Sequence, residues 1–305
     1  MPRRPALPPH QPVSRATAHR SGWSDDAIRH ALRTGSWQRL HRGWYLPAYD
    51  GPSLVQIAVA CQSSVPRSVV SHSAAAALHG LPVLGDPRPC LTVAPAGLVT
   101  AVADAHLHRA TLRGRAGTRR GIPVTSPART ILDVARERGT EAGVVAADAG
   151  LRLQQTSLDE LAEVLGECRR WPGVRRAEAV LADCSGAAES PLESLSRLRI
   201  HGAGLPRPHL QTRLGDLAGR FVGRADFYWP EFGVVGEADG TAKYDTRAVL
   251  IAEKLRQESL EQLGLIVVRW GWADLARFEQ VAARLRAAFA RGLQQAAGRG
   301  WAELG

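Results

Sequence analysis

Apolar positions along this chain change period several times, and the changes mark out its elements. Residues 1–12 carry proline and arginine with no periodic apolar face, which predicts a disordered basic arm. From Ser14 a helical pattern begins. Ser14 caps RATAHR, Gly22 breaks it, and Ser24 caps DDAIRHALRT, with Asp25 and Asp26 in the first turn, where the helix dipole favours acids. Gly35 closes this second helix. The following SWQRLHRGWYLPA alternates with period two and turns near Arg42 and Gly43, as a β-wing does. Residues 13–50 therefore predict a winged helix-turn-helix.

Residues 51–185 predict a mixed α/β middle domain packed by small residues. Ser53 to Ser63 has an apolar helical stripe, Ser71 caps HSAAAALHG, and Gly80 stops it. Short β-like runs follow at CLTVAP, HLHRATL and IPVTS. Ser126 and Pro127 open a helix, ARTILDVAR, with the cap and the N1 proline in their preferred places. Helices near 140–152, 157–169 and 174–183 complete the region.

Residues 186–305 predict the order α, β, β, β, α, β, α. AESPLESLSRLRIHGAGLP is a helix with Pro191 in its first turn, and it sets Glu189 and Glu193 four apart on one side. HLQTRL is a strand. GRADFYWPEFGVVGEADGTAKY is a β-hairpin turning at Pro230-Glu231-Phe232-Gly233. A helix capped by Asp245 or Thr246 runs to about Leu263, the continuous apolar run LIVVRW is a buried strand, and WADLARFEQVAARLRAAFARG is the last helix. The helix between hairpin and strand has the character of a βα crossover.

Composition adds a partner class. The chain carries a net charge of +10 with 45% hydrophobic and 22% charged residues, so it can bury a core and favours a polyanion. Double-stranded DNA is the expected partner. Arg29, His30 and Arg33 project from the second helix, and Arg39, His41 and Arg42 line the wing. The alternative for this region is a small helical cap with a solvated arginine face. No apolar run reaches membrane-spanning length and the N-terminus lacks a signal-like core, so the expectation is a cytoplasmic protein with no membrane partner. The four scattered cysteines read as reduced core residues, and His72, His79, His106 and His108 as surface or satisfied histidines without Cys or Asp partners at ligand spacing. Of 39 basic residues only Lys243 and Lys254 are lysine, and both follow the acidic hairpin. Lysine is a compact charge with a shiftable pKa, which arginine does not imitate.

The hairpin carries the candidate chemistry. A turn centred on residues 230–233 sets Asp226 opposite Glu237 and Arg224 opposite Asp239, with these side chains on one face. Directly opposed carboxylates have Cβ atoms about 5 Å apart. They repel unless one takes up a proton or a divalent cation sits between them.

The order of helical glutamate, strand aspartate and opposing strand glutamate resembles the PD-(D/E)XK nuclease superfamily. ESPLES, GRADFYWPE, GEADGTAKY, AEKLRQESL and LGLIVVRWGWADL together resemble a domain related to very-short-patch-repair endonucleases. WQRLHRGWYL, SHSAAAALHGL and VTSPARTILDVA resemble the AbiEi-type antitoxins of type IV toxin–antitoxin systems. The resemblance implies an α+β chain ending in a restriction-endonuclease-like domain with a central mixed sheet. Asp226 and Glu237 would bind Mg²⁺, with Asp239 a further candidate ligand. Glu193 would complete the shell or orient a metal-bound water. The superfamily's lysine belongs two residues after the glutamate, where this chain has Asp239, so Lys243 or Lys254 would take its role. Two functions are implied: a Mg²⁺-dependent DNA endonuclease, or a non-catalytic DNA-binding regulator, with a cognate toxin as a possible partner.

Overall fold

The computed structural model describes residues 11–47, 51–96, 102–216, 218–239, 260, 263–295 and the backbone of 301–303. The chain divides into two compact units, 1–182 and 183–305. Each is an α+β arrangement. Lys243, Lys254 and the expected cap at Asp245 or Thr246 lie outside the described residues. Among the described residues no helix is long and apolar enough to cross a membrane.

The first unit begins with strand β1 (Val13–Ser14), helices α1 (Arg15–Arg20) and α2 (Asp25–Arg33), and strands β2 (Trp37–His41) and β3 (Trp44–Pro47). The Ser14 and Ser24 hydroxyls accept from Thr17 N and Ala27 N, so both expected caps form. Each such cap contributes about 1 kcal/mol. The hairpin β2–β3 turns at Arg42–Gly43, and β1 adds to it as a third strand in the order β1-β3-β2. Val13, Ala18, Ile28, Ala31, Trp37 and Tyr45 form the core of this part. Leu40 and Leu46 pack on Ala60 of α3 (Leu54–Gln62), so an apolar contact joins the β2–β3 hairpin to that helix.

The rest of this unit is built on a five-stranded mixed sheet. Its strands are β4 (Val69–Ser71), β5 (Cys90–Val93), β6 (His106–Arg109), β7 (Ala116–Arg119) and β8 (Ile122–Thr125), in the order β6-β5-β4-β8-β7. β5 pairs with β6, and β4 with β8, in parallel; the other two pairs are antiparallel. Helices α4 (His72–His79), α5 (Pro127–Arg138), α6 (Thr140–Arg152), α7 (Leu158–Glu167) and α8 (Val174–Asp183) complete it. The Ser126 cap forms with Pro127 at the helix start. Ser71 does not cap α4, because its hydroxyl bonds the His72 ring instead.

The second unit opens with α9 (Pro191–Gly202), followed by β9 (His209–Asp216), β10 (Phe221–Trp229), β11 (Val234–Ala238) and β12 (Ile266–Trp270). The sheet order is β12-β11-β10-β9-β13, where β13 (Trp301–Glu303) is an edge strand that the residue pattern does not predict. β10 and β11 are antiparallel around the expected turn, with Phe227 opposite Gly236 and Trp229 opposite Val234. β12 returns parallel to β11, as a crossover requires. Alternation along the strands buries both faces. Phe227 and Trp229 pack with Trp270 and Phe289, while Tyr228, Val235 and Leu214 join a separate core.

The expected last helix is two: α10 (Trp272–Leu275) and α11 (Phe278–Gln294). Arg277, at φ −129°, breaks the helix between them, and the Asp274 carboxylate turns back to accept from Gly271 N at 2.9 Å. In α11, Gly292 lies against the hairpin turn so closely that a Cβ would sit 1.8 Å from Phe232 O. Gly292→Ala should therefore cost about 1–3 kcal/mol or more. Gly166→Ala, on an exposed turn of α7 with nothing within 4 Å, should stabilise by about 0.5–1 kcal/mol. Thermal unfolding followed by circular dichroism checks both: Gly292→Ala lowers the midpoint and Gly166→Ala does not.

Candidate carboxylate site and basic face

The start of α9 sets the first carboxylate. Ser190 is the N-cap, and its Oγ accepts from Glu193 N at 3.2 Å. The same hydroxyl donates to Glu193 Oε1 at 2.7 Å, and Glu193 Oε2 accepts from Glu189 N at 2.8 Å. Glu193 thus closes the first turn of its own helix by accepting from the N-cap hydroxyl and from the amide one residue before the cap. Glu189 precedes the helix instead of sharing its face, and its Oε2 takes a 2.7 Å ion pair from Arg224.

Gln211 on β9 links this turn to the hairpin. Its Nε2 donates to Glu193 Oε2 at 2.8 Å and to Asp226 Oδ1 at 3.3 Å. Gln211 has φ 51°, a left-handed conformation that costs a non-glycine residue about 1–3 kcal/mol. The strand gives up its regular geometry at the residue whose amide stands between two carboxylates. Asp226 Oδ2 accepts from Ala238 N at 2.9 Å, so the aspartate is also tied to the end of β11. Glu237, the residue before, is buried at 3% exposure and lies beside Arg269 in the parallel register.

Asp239 departs from the expectation. It lies 3.7 Å from Arg269 Nη1, while Arg224 reaches Glu189. The pairing of Arg224 with Asp239 fails because β11 leaves β10 after Gly236 and continues along β12, where Asp239 N donates to Trp270 O. The structure therefore joins Glu193 and Asp226 through Gln211, places Glu237 buried on the adjoining strand, and turns Asp239 toward Arg269. Carboxylate oxygens suit Mg²⁺, which is commonly held by one or two carboxylates and keeps several waters. Glu193 and Asp226 share one amide donor and are the ligand type Mg²⁺ takes, but among the described residues Glu193, Asp226 and Glu237 do not gather as a three-carboxylate metal cluster.

On the first unit, Arg29, His30, Arg33, Arg39 and Arg42 are all exposed. Arg29 pairs with Asp26, and Asp25 pairs with Arg15 and His19. Hydrogen bonds from Arg15 and His19 hold the Asp25 carboxyl down at about 2. Trp23, Trp37 and Tyr45 pack in series as tilted ring pairs, with centroids 4.3 and 5.9 Å apart, and tie the turn before α2 to the hairpin. His41 does not face outward with the wing arginines. Its Nδ1 meets Asp104 Oδ2 at 2.8 Å and its Nε2 meets Ser64 Oγ at 3.0 Å.

The same unit holds a polar group absent from the sequence-based expectations. Along α5, Arg129 Nε and Arg136 Nη1 each reach the buried Asp133 carboxylate at 2.7 Å. Both guanidiniums also stand over the Trp171 ring, at 4.4 and 4.8 Å. Burial pushes the Asp133 carboxyl up, and the two arginines oppose it. The i, i+4, i+7 spacing on one helix face is the signal that could have found it. These side chains border a cavity of about 470 Å³ that His72 and His108 also line. Their rings stack at 3.8 Å, and burial holds His72 down at about 3 and His108 at about 4. His79 is buried, with Nε2 at 2.8 Å from Thr125 O and Nδ1 without a hydrogen-bond partner, so the expected satisfied histidine is only half so.

No family model matches the chain. Two proteins of Mycobacterium tuberculosis are similar to it: the uncharacterized protein MT2308 of strain CDC 1551 / Oshkosh and the uncharacterized protein Rv2248 of strain ATCC 25618 / H37Rv. Each is 31% identical over 172 residues, which is 56% of this chain and 62% of the relative. The chain thus spans less than two thirds of the length of the curated relatives it matches.

The Gln211 bridge makes a separable prediction. Gln211→Ala should destabilise the second unit by about 1–3 kcal/mol, because two carboxylates lose their shared donor. Gln211→Gly should be less destabilised than Gln211→Ala, because glycine accepts the positive φ. Urea unfolding of the two variants, read against the parent, gives the order directly.

Proposed function

We propose that this protein is a DNA-binding protein whose second unit is a Mg²⁺-dependent endonuclease of the PD-(D/E)XK kind. The observation that carries the reading is the Gln211 amide set between Glu193 of α9 and Asp226 of β10, beside the buried Glu237 of β11. The helix N-terminus and β10 bring Glu193 and Asp226 to one amide, and Glu237 lies on the neighbouring strand. The basic residues of α2 and of the β2–β3 hairpin would supply salt-dependent affinity for the DNA backbone.

Asp226 and Glu237 would hold the Mg²⁺, and Glu193 would orient a water next to it. The ion, when bound, polarises the scissile phosphate and lowers the pKa of bound water. The chain's own part is positional. Gln211 sets the spacing of Glu193 and Asp226, and the Ala238 amide fixes the second Asp226 oxygen. Lys243 or Lys254 would stabilise charge on the phosphate.

One observation favours a second reading, a non-catalytic regulator of the AbiEi antitoxin type with a possible toxin partner. Asp239 occupies the superfamily's lysine position and lies against Arg269. Binding alone does not separate the two readings, and cutting does.

With Mg²⁺ added, the protein should nick supercoiled plasmid, and Asp226→Ala or Glu237→Ala should abolish nicking while leaving DNA affinity within about threefold, since the basic face is untouched. Binding with no cutting under Mg²⁺ or Mn²⁺ would favour the regulator. Arg29→Ala combined with Arg33→Ala should weaken DNA binding. The slope of log affinity against log salt should fall by about 0.9 for each phosphate that these arginines neutralise. An unchanged slope would remove α2 from the interface.

A further inference from the structure

We propose that His72, Cys90, His108 and Glu137 form a binding site for a borderline-soft divalent transition metal, Zn²⁺ in the first instance, in the first unit. The fold gathers these four from separate elements of the mixed sheet and its helices. β4 and β5 pair so that Ser71 lies opposite Cys90, which brings His72, the next residue, to that strand. β5 and β6 run parallel with Thr92 opposite His108. Glu137 reaches them from the last turn of α5.

The geometry fits one ion. One ligand atom from each residue lies within 4.8 Å of all the others. His108 Nε2 is 3.6 Å from Glu137 Oε1, and Cys90 Sγ is 3.7 Å from Glu137 Oε2. A tetrahedral zinc with ligands at about 2.0–2.3 Å has edges of about 3.3–3.6 Å between its donor atoms. These two separations, taken to different Glu137 oxygens, are already close to that edge, and the widest of the set, up to 4.8 Å, needs to close by about an ångström. Two imidazoles, a thiol and a carboxylate form a set that suits zinc and is poor for Mg²⁺ or Ca²⁺.

Three further features point to the site. The Ser71 hydroxyl lies 3.0 Å from His72 Nδ1 and orients the ring, as an outer partner of a metal-bound histidine does. His72 holds φ 51° at the start of α4, a strained backbone at the residue that would coordinate. His108 Nε2 is buried with no hydrogen-bond partner, although it lies beside the Glu137 carboxylate. His72 and His108 also line the cavity of about 470 Å³, which gives an ion a route in. His106, half exposed, lies 3.6 Å from Glu137 Oε1 and is an auxiliary donor. Zinc binding would convert the Cys90 thiol, which now donates toward Glu137, to a thiolate, with its proton released to solvent.

A second grouping, His41, Cys61 and Asp104, serves as the internal control. Both His41 ring nitrogens are already engaged, by Asp104 and Ser64.

The experiment uses the full chain, stripped with chelator and titrated with Co²⁺ and then Zn²⁺. One equivalent of Co²⁺ should bind with a thiolate-to-cobalt charge-transfer band that Zn²⁺ displaces. Cys90→Ser should remove the band and Cys61→Ser should retain it. Glu137→Gln, a change at a partly exposed side chain, should weaken Zn²⁺ binding about tenfold or more. X-ray absorption on the unmutated zinc-loaded chain needs no variant to fold and should show one sulfur at about 2.3 Å with lighter ligands at about 2.0 Å. A shell without sulfur, a band that survives Cys90→Ser, or unchanged zinc affinity in Glu137→Gln would overturn the assignment.

Discussion

The second unit depends on one amide nitrogen held between two carboxylates. Gln211 Nε2 donates to Glu193 and to Asp226, and the strand accepts a left-handed residue to put it there. Like charges brought together in a folded core repel, and a neutral donor only partly relieves that repulsion. The remaining acids are distributed accordingly. Glu193 is held by its own helix cap, Asp226 takes an amide from β11, and Asp239 turns to Arg269. A divalent cation beside Asp226 would offset that charge, and this is the physical basis of the proposal that the site is metal-dependent.

The first unit meets a similar constraint by different means. Arg129, Asp133 and Arg136 place two cations on one buried anion and stack both on Trp171. Removing one member of such a network leaves an uncompensated buried charge, which costs about 3–5 kcal/mol. The basic α2 face and the β2–β3 hairpin are set by contrast on a small aromatic core, and their arginines stay in solvent.

The features legible in the sequence are local ones. The caps at Ser14, Ser24 and Ser126 are written within three residues of the groups they satisfy, and each one forms. The hairpin turn at 230–233 fixes its own register as far as Phe227 opposite Gly236; the expected oppositions of Asp226 with Glu237 and Arg224 with Asp239 lie beyond the last registered pair, where β11 follows β12 instead. The spacing of Ser190 and Glu193 also signals the serine cap that forms there, which the expectation of a shared Glu189–Glu193 face overlooks. Ser71 carries a cap signal that fails, because an adjacent imidazole competes for the same hydroxyl. Gln211 is not legible, since no local rule puts a glutamine at positive φ within a strand; the sheet and α9 impose it. Cys90 and Glu137 stand 47 apart and meet through the sheet order β5-β4-β8 and the return of α5, which follows β8. The histidines are visible as residues, but their partners are not.

Metal occupancy of the carboxylate site is the most direct test of the central claim. Mn²⁺, a spectroscopic substitute for Mg²⁺, can be titrated into the chain while free ion is read by electron paramagnetic resonance. The account predicts a bound Mn²⁺ that Mg²⁺ displaces and that Asp226→Asn and Glu237→Gln each lose, with Cys90→Ser unaffected. Equal Mn²⁺ binding in the parent, Asp226→Asn and Glu237→Gln would contradict it.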